Sequence, residues 1–350
     1  MKGWFLLFRG ALHQHSRLAD AAQADLEVAR SVAQATGSPI LEARILTQFA
    51  RNSIIVRRLL DPSADSLLDR AQAIIGKDGH LAASISFLRG AKAQLEGRID
   101  SAIEHLDQSI GLARLHKAPL LLFPALNSLG DALCYQEDYH RAAVCFEECL
   151  SISQDLNAPY QVALHLNNLG TVYHVQNDLD RASRYYIDSL AQCRKIDDLE
   201  GAATALCNLG ETAVQRGEME QAWRYAKEAS LLADSLRSDW TAIIAENLLA
   251  EIEIRRGEAD SGLEILRRVS QRAIKAGPVF LQLRILLTLG RGLTGRDDFS
   301  AARLMRRVAS HPASEPDVRK SAEEWLKERH LEGEEKASPG EFIERHLSKQ

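Results

Sequence analysis

Leu166-Asn167-Asn168-Leu169-Gly170-Thr171-Val172-Tyr173 is followed, 40 residues on, by Leu206-Cys207-Asn208-Leu209-Gly210-Glu211-Thr212-Ala213. The two segments share Leu-x-Asn-Leu-Gly in the same frame, and that shared stride decides the fold. Intervals of 40 residues outward from Gly170 meet Gly10, Ala50, Gly90, Gly130, Gly210, Ala250 and Gly290, every one Gly or Ala. Twelve residues after each member lies a second series, Ala22, Pro62, Ala102, Ala142, Ala182, Ala222, Gly262 and Ala302. Repeats of 20–50 residues signal stacked supersecondary units, so they are read before any local propensity.

Packing explains two phased small-residue series. A Gly or Ala on one helix lets a partner helix come close, and larger residues fill the seam beside it. Leu129, Leu169, Leu209, Leu249 and Leu289 precede the first series, while Phe146, Tyr186 and Leu266 follow the second by one helical turn on the same face. The connections agree. Pro39, Pro119 and Pro159 fall on the 40-residue phase, where a proline presets the first turn of a helix. Within each pair the turns read 136–138 Gln-Glu-Asp, 176–178 Gln-Asn-Asp, 216–218 and 256–258 Arg-Gly-Glu, and 296–298 Arg-Asp-Asp. These are stop residues followed by N-caps, with acids suited to the positive end of the next helix. No strand-like alternation interrupts them, and the expected fold is all-α.

With Ala182, Tyr186 and Ala222 added, these segments resemble tetratricopeptide (TPR) repeats. They are similar to the longer variety, of about 40 residues, found in kinesin light chains, polarity adaptors and the sensor regions of bacterial multidomain regulators. The resemblance is closest over 120–310, looser over 81–120 and weaker before that. It implies a right-handed superhelical solenoid of about eight antiparallel helix pairs with a C-terminal capping helix. The expected organisation is a repeat array over 1–312, a capping helix over 313–330, and a polar linker with a short last helix over 331–350. The 41–80 unit departs from the pattern, because Pro62 occupies the small-residue slot; its second helix is expected to shift by about a turn. Residues 305–326 also resemble the end of the sensor region in such regulators.

Bulk properties narrow the function. The chain has 350 residues, 45% hydrophobic and 26% charged, and lacks the run of about 18 apolar residues that a membrane span needs. The apolar Trp4–Phe8 run is too short for a secretion signal and is ended by Arg9. On a first helix that run needs cover, for which the candidates are a second copy of the chain, an upstream region, or inward folding. Five cysteines without framework spacing fit reduced thiols and a cytoplasmic protein. A net charge of −5 argues against a general nucleic-acid binder, although 255–307 holds twelve Lys or Arg against five Asp or Glu.

The first helix of each pair carries a second stripe opposite its packing face. It reads Asn127-Asp131-Cys134, Asn167-Thr171-His174, Cys207-Glu211-Val214 and Asn247-Glu251-Ile254, with Asn168 and Asn208 one residue on from the leads. Asparagine costs a helix roughly 0.7 kcal/mol against alanine, and the seam does not need it. Its amide both donates and accepts, so a ladder of amides can bond the backbone of an extended peptide. In the related repeats asparagines at this place clamp ligand main chain, a role the resemblance carries to Asn168 and Asn208 first. The alternative is that the amides bond neighbouring helices. Asp131, Glu211 and Glu251 share the stripe with His174, Arg255 and Arg291, a mixture of sign that suits a defined partner.

Other constellations are weaker. Gly290-Arg291-Gly292-Leu293-Thr294-Gly295 has dinucleotide-binding spacing but ends a repeat helix instead of opening one after a strand. Cys145 and Cys149, with His140 a turn away, have conceivable metal spacing, but Cys149 occupies a small-residue slot. The chain therefore reads as a non-enzymatic scaffold or sensor for a protein or peptide, without cofactor or metal. The rival is a nucleic-acid-binding repeat using 255–307.

Overall fold

The computed structural model describes residues 19–56, 63–76, 78–236, 238–276 and 278–329. Gly10, the Trp4–Phe8 run, Pro62 and the segment 331–350 lie outside the described residues. Among those described, the regular structure is helical throughout, with no strand.

Contacts divide the chain into two units, Met1–Ala158 and Pro159–Gln350. The first holds α1 (Ala19–Thr36), then three pairs: α2 (Pro39–Arg51) with α3 (Ser63–Ile74), α4 (Gly79–Leu95) with α5 (Ile99–Leu115), and α6 (Pro119–Tyr135) with α7 (Tyr139–Asp155). The second holds α8 (Pro159–Val175) with α9 (Leu179–Lys195), α10 (Leu199–Gln215) with α11 (Met219–Leu236), α12 (Asp239–Arg255) with α13 (Ala259–Ala276), and α14 (Val279–Leu293) with α15 (Asp298–Ser310). It closes on α16 (Pro316–Glu328). Within each unit a helix packs on its neighbours in sequence, and first helices also touch the first helices of adjacent pairs. The capping helix packs on α15 and α14, with Val318, Ala322, Trp325 and Leu326 buried in their core.

Helix ends follow a 20-residue beat. Lys117, Glu137, Asn157, Asn177, Asp197 and Gly217 all have positive φ just past a helix. At Glu137 the turn returns two bonds to the preceding helix, Glu137 N–H to Cys134 O at 3.1 Å and Asp138 N–H to Leu133 O at 2.9 Å. Such a left-handed residue satisfies carbonyls that the helix leaves unpaired. Asp138, Asp178 and Asp297 then cap the next helix through Arg141, Arg181 and Ser300 N–H. Pro39, Pro119 and Pro159 stand at helix starts, as their phase predicts.

The small-residue series lie in helix contacts. A Cβ added at Gly130 would sit 2.7 Å from the Phe146 ring, and at Gly170 2.5 Å from the Tyr186 ring. At Gly90 it would meet Leu106 at 2.7 Å, and at Gly290 Met305 at 2.8 Å. The space above each glycine is thus filled by the large residue one turn beyond the facing small one. Gly210 differs: its partner helix offers Ala226 there, and Leu248 of the next pair's first helix fills the gap instead, at 2.7 Å.

The 41–80 unit shifts by less than expected. Ala64, Leu68, Ala71 and Ile75 are buried with the spacing of Ala102, Leu106, Ser109 and Ala113, 38 residues later. The register slip is two residues, half a turn instead of a whole one. It follows a π-helical turn over Asn52–Val56, in which Asn52 and Ile54 are buried. A π turn accommodates an extra residue without ending the helix.

Charge also repeats. Arg216 pairs with Asp180, Arg256 with Glu220 and Arg296 with Asp260, each 36 residues apart, joining the end of one first helix to the second helix of the pair before.

Candidate functional site

In the second unit α8, α10, α12 and α14 stand side by side as a wall of first helices. A hydrogen bond from Asn208 Nδ2 on α10 to Asn167 Oδ1 on α8, at 2.9 Å, joins the first two. Arg284 on α14 reaches Glu211 on α10 at 2.7 Å, passing over α12. Packed helices are spaced 8–10 Å apart, so on a flat wall α10 and α14 would stand about 16–20 Å apart. An arginine and a glutamate bridge such a gap only when the wall curves inward. This face is therefore concave.

The expected stripe residues have distinct surroundings. Asn167 accepts the Asn208 bond, which is the neighbouring-helix role held open as the alternative for these amides. Thr171 is engaged on two sides, donating to Asn167 O and accepting from Tyr186 OH, each at 3.2 Å. His174 lies edge-on to the Tyr186 ring, and its buried Nε2 meets no hydrogen-bond partner. Asn168 is half-buried on the same helix. Asn247 keeps a buried Oδ1 without a partner, one turn before Glu251 on α12. Glu251 accepts from Arg255 at 2.7 Å and from Arg291 on α14. Burial works to raise its carboxyl, but Arg291 and Arg255 together outweigh that and hold it below the usual carboxylate range.

Two stripe positions leave the wall. Cys207 and Val214 are buried in the core of the second unit, because the apolar face of α10 is broader than an i, i+4, i+7 reading allows. Asn127 and Asp131 belong to the first unit, on α6, where the Asn127 amide donates to Asp131 at 3.3 Å.

Arg284 and Glu315 were missed by the sequence reading. Arg284 binds both Glu211 and Glu315, the latter at 3.3 Å, so it ties the wall to the turn before the capping helix. A signal existed: extended one turn towards each helix N-terminus, the stripe reaches Leu164, Thr204, Ile244 and Arg284. Leu164 is exposed and Ile244 half-buried, which adds an apolar strip to the polar one.

The other constellations resolve as packing. Cβ atoms at Gly290 and Gly292 would meet Met305, and Ile254 with Leu263, while Gly295 has φ +76° in the turn. Cys145 and Cys149 are buried, and burial pushes the Cys145 thiol up to about 11 and that of Cys149 higher still. In 255–307 the cations are largely matched. Arg268 and Arg272 share Glu246, at 3.6 and 3.4 Å, where Glu264 was the expected partner of Arg268. Arg255, Arg256, Arg284, Arg291 and Arg296 each hold a carboxylate too. This removes the basis for a phosphate-binding strip.

Among known proteins, the family model of the MalT-like TPR region matches residues 62–326. No curated protein matches the chain. Solved structures do. A Rap protein complexed with Competence and Sporulation Factor aligns over 99% of this chain and 96% of its own, at 15% identity and TM-score 0.69. The apo quorum sensor NprR from B. thuringiensis aligns over 98% and 97%, at 13% identity and TM-score 0.70. NprR in complex with its cognate peptide NprX aligns over 100% and 99%, at 12% identity and TM-score 0.63. At such identities the likeness is one of fold, a stack of TPR-like helix pairs.

Proposed function

We propose, from the premise that this chain belongs to the MalT-like TPR family, that the concave wall of its second unit holds a peptide or protein segment and performs no chemistry itself. The observation that carries this reading is the Arg284–Glu211 bridge over α12, which makes the wall an inward-curved face. That face combines amides, ion pairs and an apolar strip. Amides can take up the donors and acceptors of an extended main chain, and Leu164 and Ile244 can receive its side chains. The peptide NprX bound by NprR and the factor bound by Rap lend support by analogy of fold. A sensing role in bacterial signalling, in the cytoplasm, is the setting we infer from that likeness. The thiols fit a non-enzymatic chain, since raised pKa values leave them without thiolate character at neutral pH.

Peptide display against the full chain, followed by calorimetry with the selected sequence, tests this. Asn168→Ala with Asn208→Ala should weaken binding at least tenfold, about 1.4 kcal/mol. Arg267→Gln, on second helix α13, should leave it unchanged. Equal affinities for all three proteins would defeat the assignment.

A further inference from the structure

Resting on the peptide-binding reading, we infer that Arg255 and Arg291 form a subsite for a carboxylate of the bound peptide. The ion pairing is uneven at this point of the wall. Glu251 Oε1 accepts from Arg255 Nη2 at 2.7 Å, from Arg255 Nε at 3.2 Å, and from Arg291 Nη1. Two guanidinium charges thus share one carboxylate, through one of its oxygens. Arg284 is placed differently, with two carboxylates, Glu211 and Glu315, on one guanidinium. The positive surplus of the wall therefore sits at the C-terminal ends of α12 and α14.

The surplus is presented outward. The side chains of Arg255 and Arg291 are 38% and 26% exposed, against 17% for Glu251, so the shared acid is seated beneath the two cations. Arg291 spends one N–H on Glu251, and a guanidinium has five arranged as a fork that grips a carboxylate in bidentate fashion. A curved, partly desolvated wall strengthens such a field relative to an exposed surface. Asn247 adds a neighbour of the right kind. It precedes Glu251 by four residues on α12, about 6 Å along the axis. Its amide stands where the main chain next to a bound carboxylate would pass. The recognised group is a carboxylate with a peptide bond beside it, which a free C-terminus and an Asp or Glu side chain both supply.

Four pools of random decapeptides separate these sources: free C-terminus with or without Asp and Glu, and amidated C-terminus with or without them. Each is passed over the immobilised full chain, and the retained fraction is read by mass spectrometry. Pools carrying a carboxylate of either source should be retained at least tenfold more than the amidated, acid-free pool. Arg255→Gln with Arg291→Gln should reduce them to the level of that pool, while the variant keeps the wild-type circular dichroism melting curve. Enrichment of only the free-terminus pools, or only the acidic ones, supports the subsite and names the source. Equal retention of all four pools would overturn the subsite and leave the peptide-binding reading standing; so would retention indifferent to the double substitution, with the arginines serving the helix ends alone. Retention of no pool would overturn both.

Discussion

His165 is the residue most out of keeping with its place. Its phase is held elsewhere by Ile45, Ile85, Ala125, Ala205, Ala245 and Ile285, all buried, and its own exposure is 0%. Burial lowers its pKa from 6.5 to about 4. Between those values the unfolded chain binds the proton and the folded chain does not, so stability is full above about pH 6.5 and falls as pH drops towards 4. Each pKa unit corresponds to about 1.4 kcal/mol, so the loss approaches about 3 kcal/mol at pH 4. Urea denaturation at pH 7 and pH 4.5 should register it, and His165→Leu should flatten that difference. At the opposite extreme stands Lys117, exposed, at φ +50°. A left-handed backbone costs a residue with a side chain about 1–2 kcal/mol, and glycine's added freedom when unfolded returns part of that. Lys117→Gly should raise stability by about 0.5–1 kcal/mol in the same assay. Neither feature was legible in the sequence. A histidine in a core slot looks like any other, and a lysine gives no sign of a left-handed turn until the 20-residue beat of Asn157, Asn177 and Gly217 is seen around it.

At the scale of the helix pair, glycine and ring are one device. Alanine normally suits a helix better than glycine by up to about 1 kcal/mol. At Gly170 its methyl would press 2.5 Å into the Tyr186 ring, which is itself buried and held by Thr171. Overpacking of this kind costs about 1–3 kcal/mol, so Gly170→Ala should lower the unfolding midpoint despite the propensity gain. In a double-mutant cycle Tyr186→Leu should absorb most of the penalty; additive losses would mean the two residues do not share the contact. This layer of the fold was readable because packing at a fixed stride leaves its trace at fixed positions: Gly130, Gly170, Phe146 and Tyr186 all bear the role their phase implied. The π-helical turn at Asn52–Val56 was not, since its effect is a two-residue slip in a unit already marked as irregular by Pro62. Nor was the Leu248 substitution for a ring over Gly210, because it comes from the following pair.

For the whole molecule, what matters is how charge is distributed among repeats. The excess of arginine over 255–307 looked like a strip for phosphate, yet its members close on acids from other pairs, Arg256 on Glu220 and Arg296 on Asp260. Such contacts, 36 residues apart, lie beyond any i, i+4 rule, and Arg284 to Glu211 at 73 lies further still. Single-stranded RNA should accordingly show little binding at about 0.15 M salt, where unpaired phosphate contacts are already weakened. Asn167 and Asn208 were found from sequence as residues a helix does not want, whereas Arg284 needed the curvature of the wall to reveal its reach.

Photo-crosslinking is the most direct test of a ligand lying on that wall. A display-selected peptide carrying benzophenone at successive positions would be irradiated with the full chain and the adducts mapped by mass spectrometry. Adducts should fall on α8, α10, α12 and α14, around Asn168, Asn208, Asn247 and Arg291. Adducts confined to second helices α9, α11 and α13 would contradict the account.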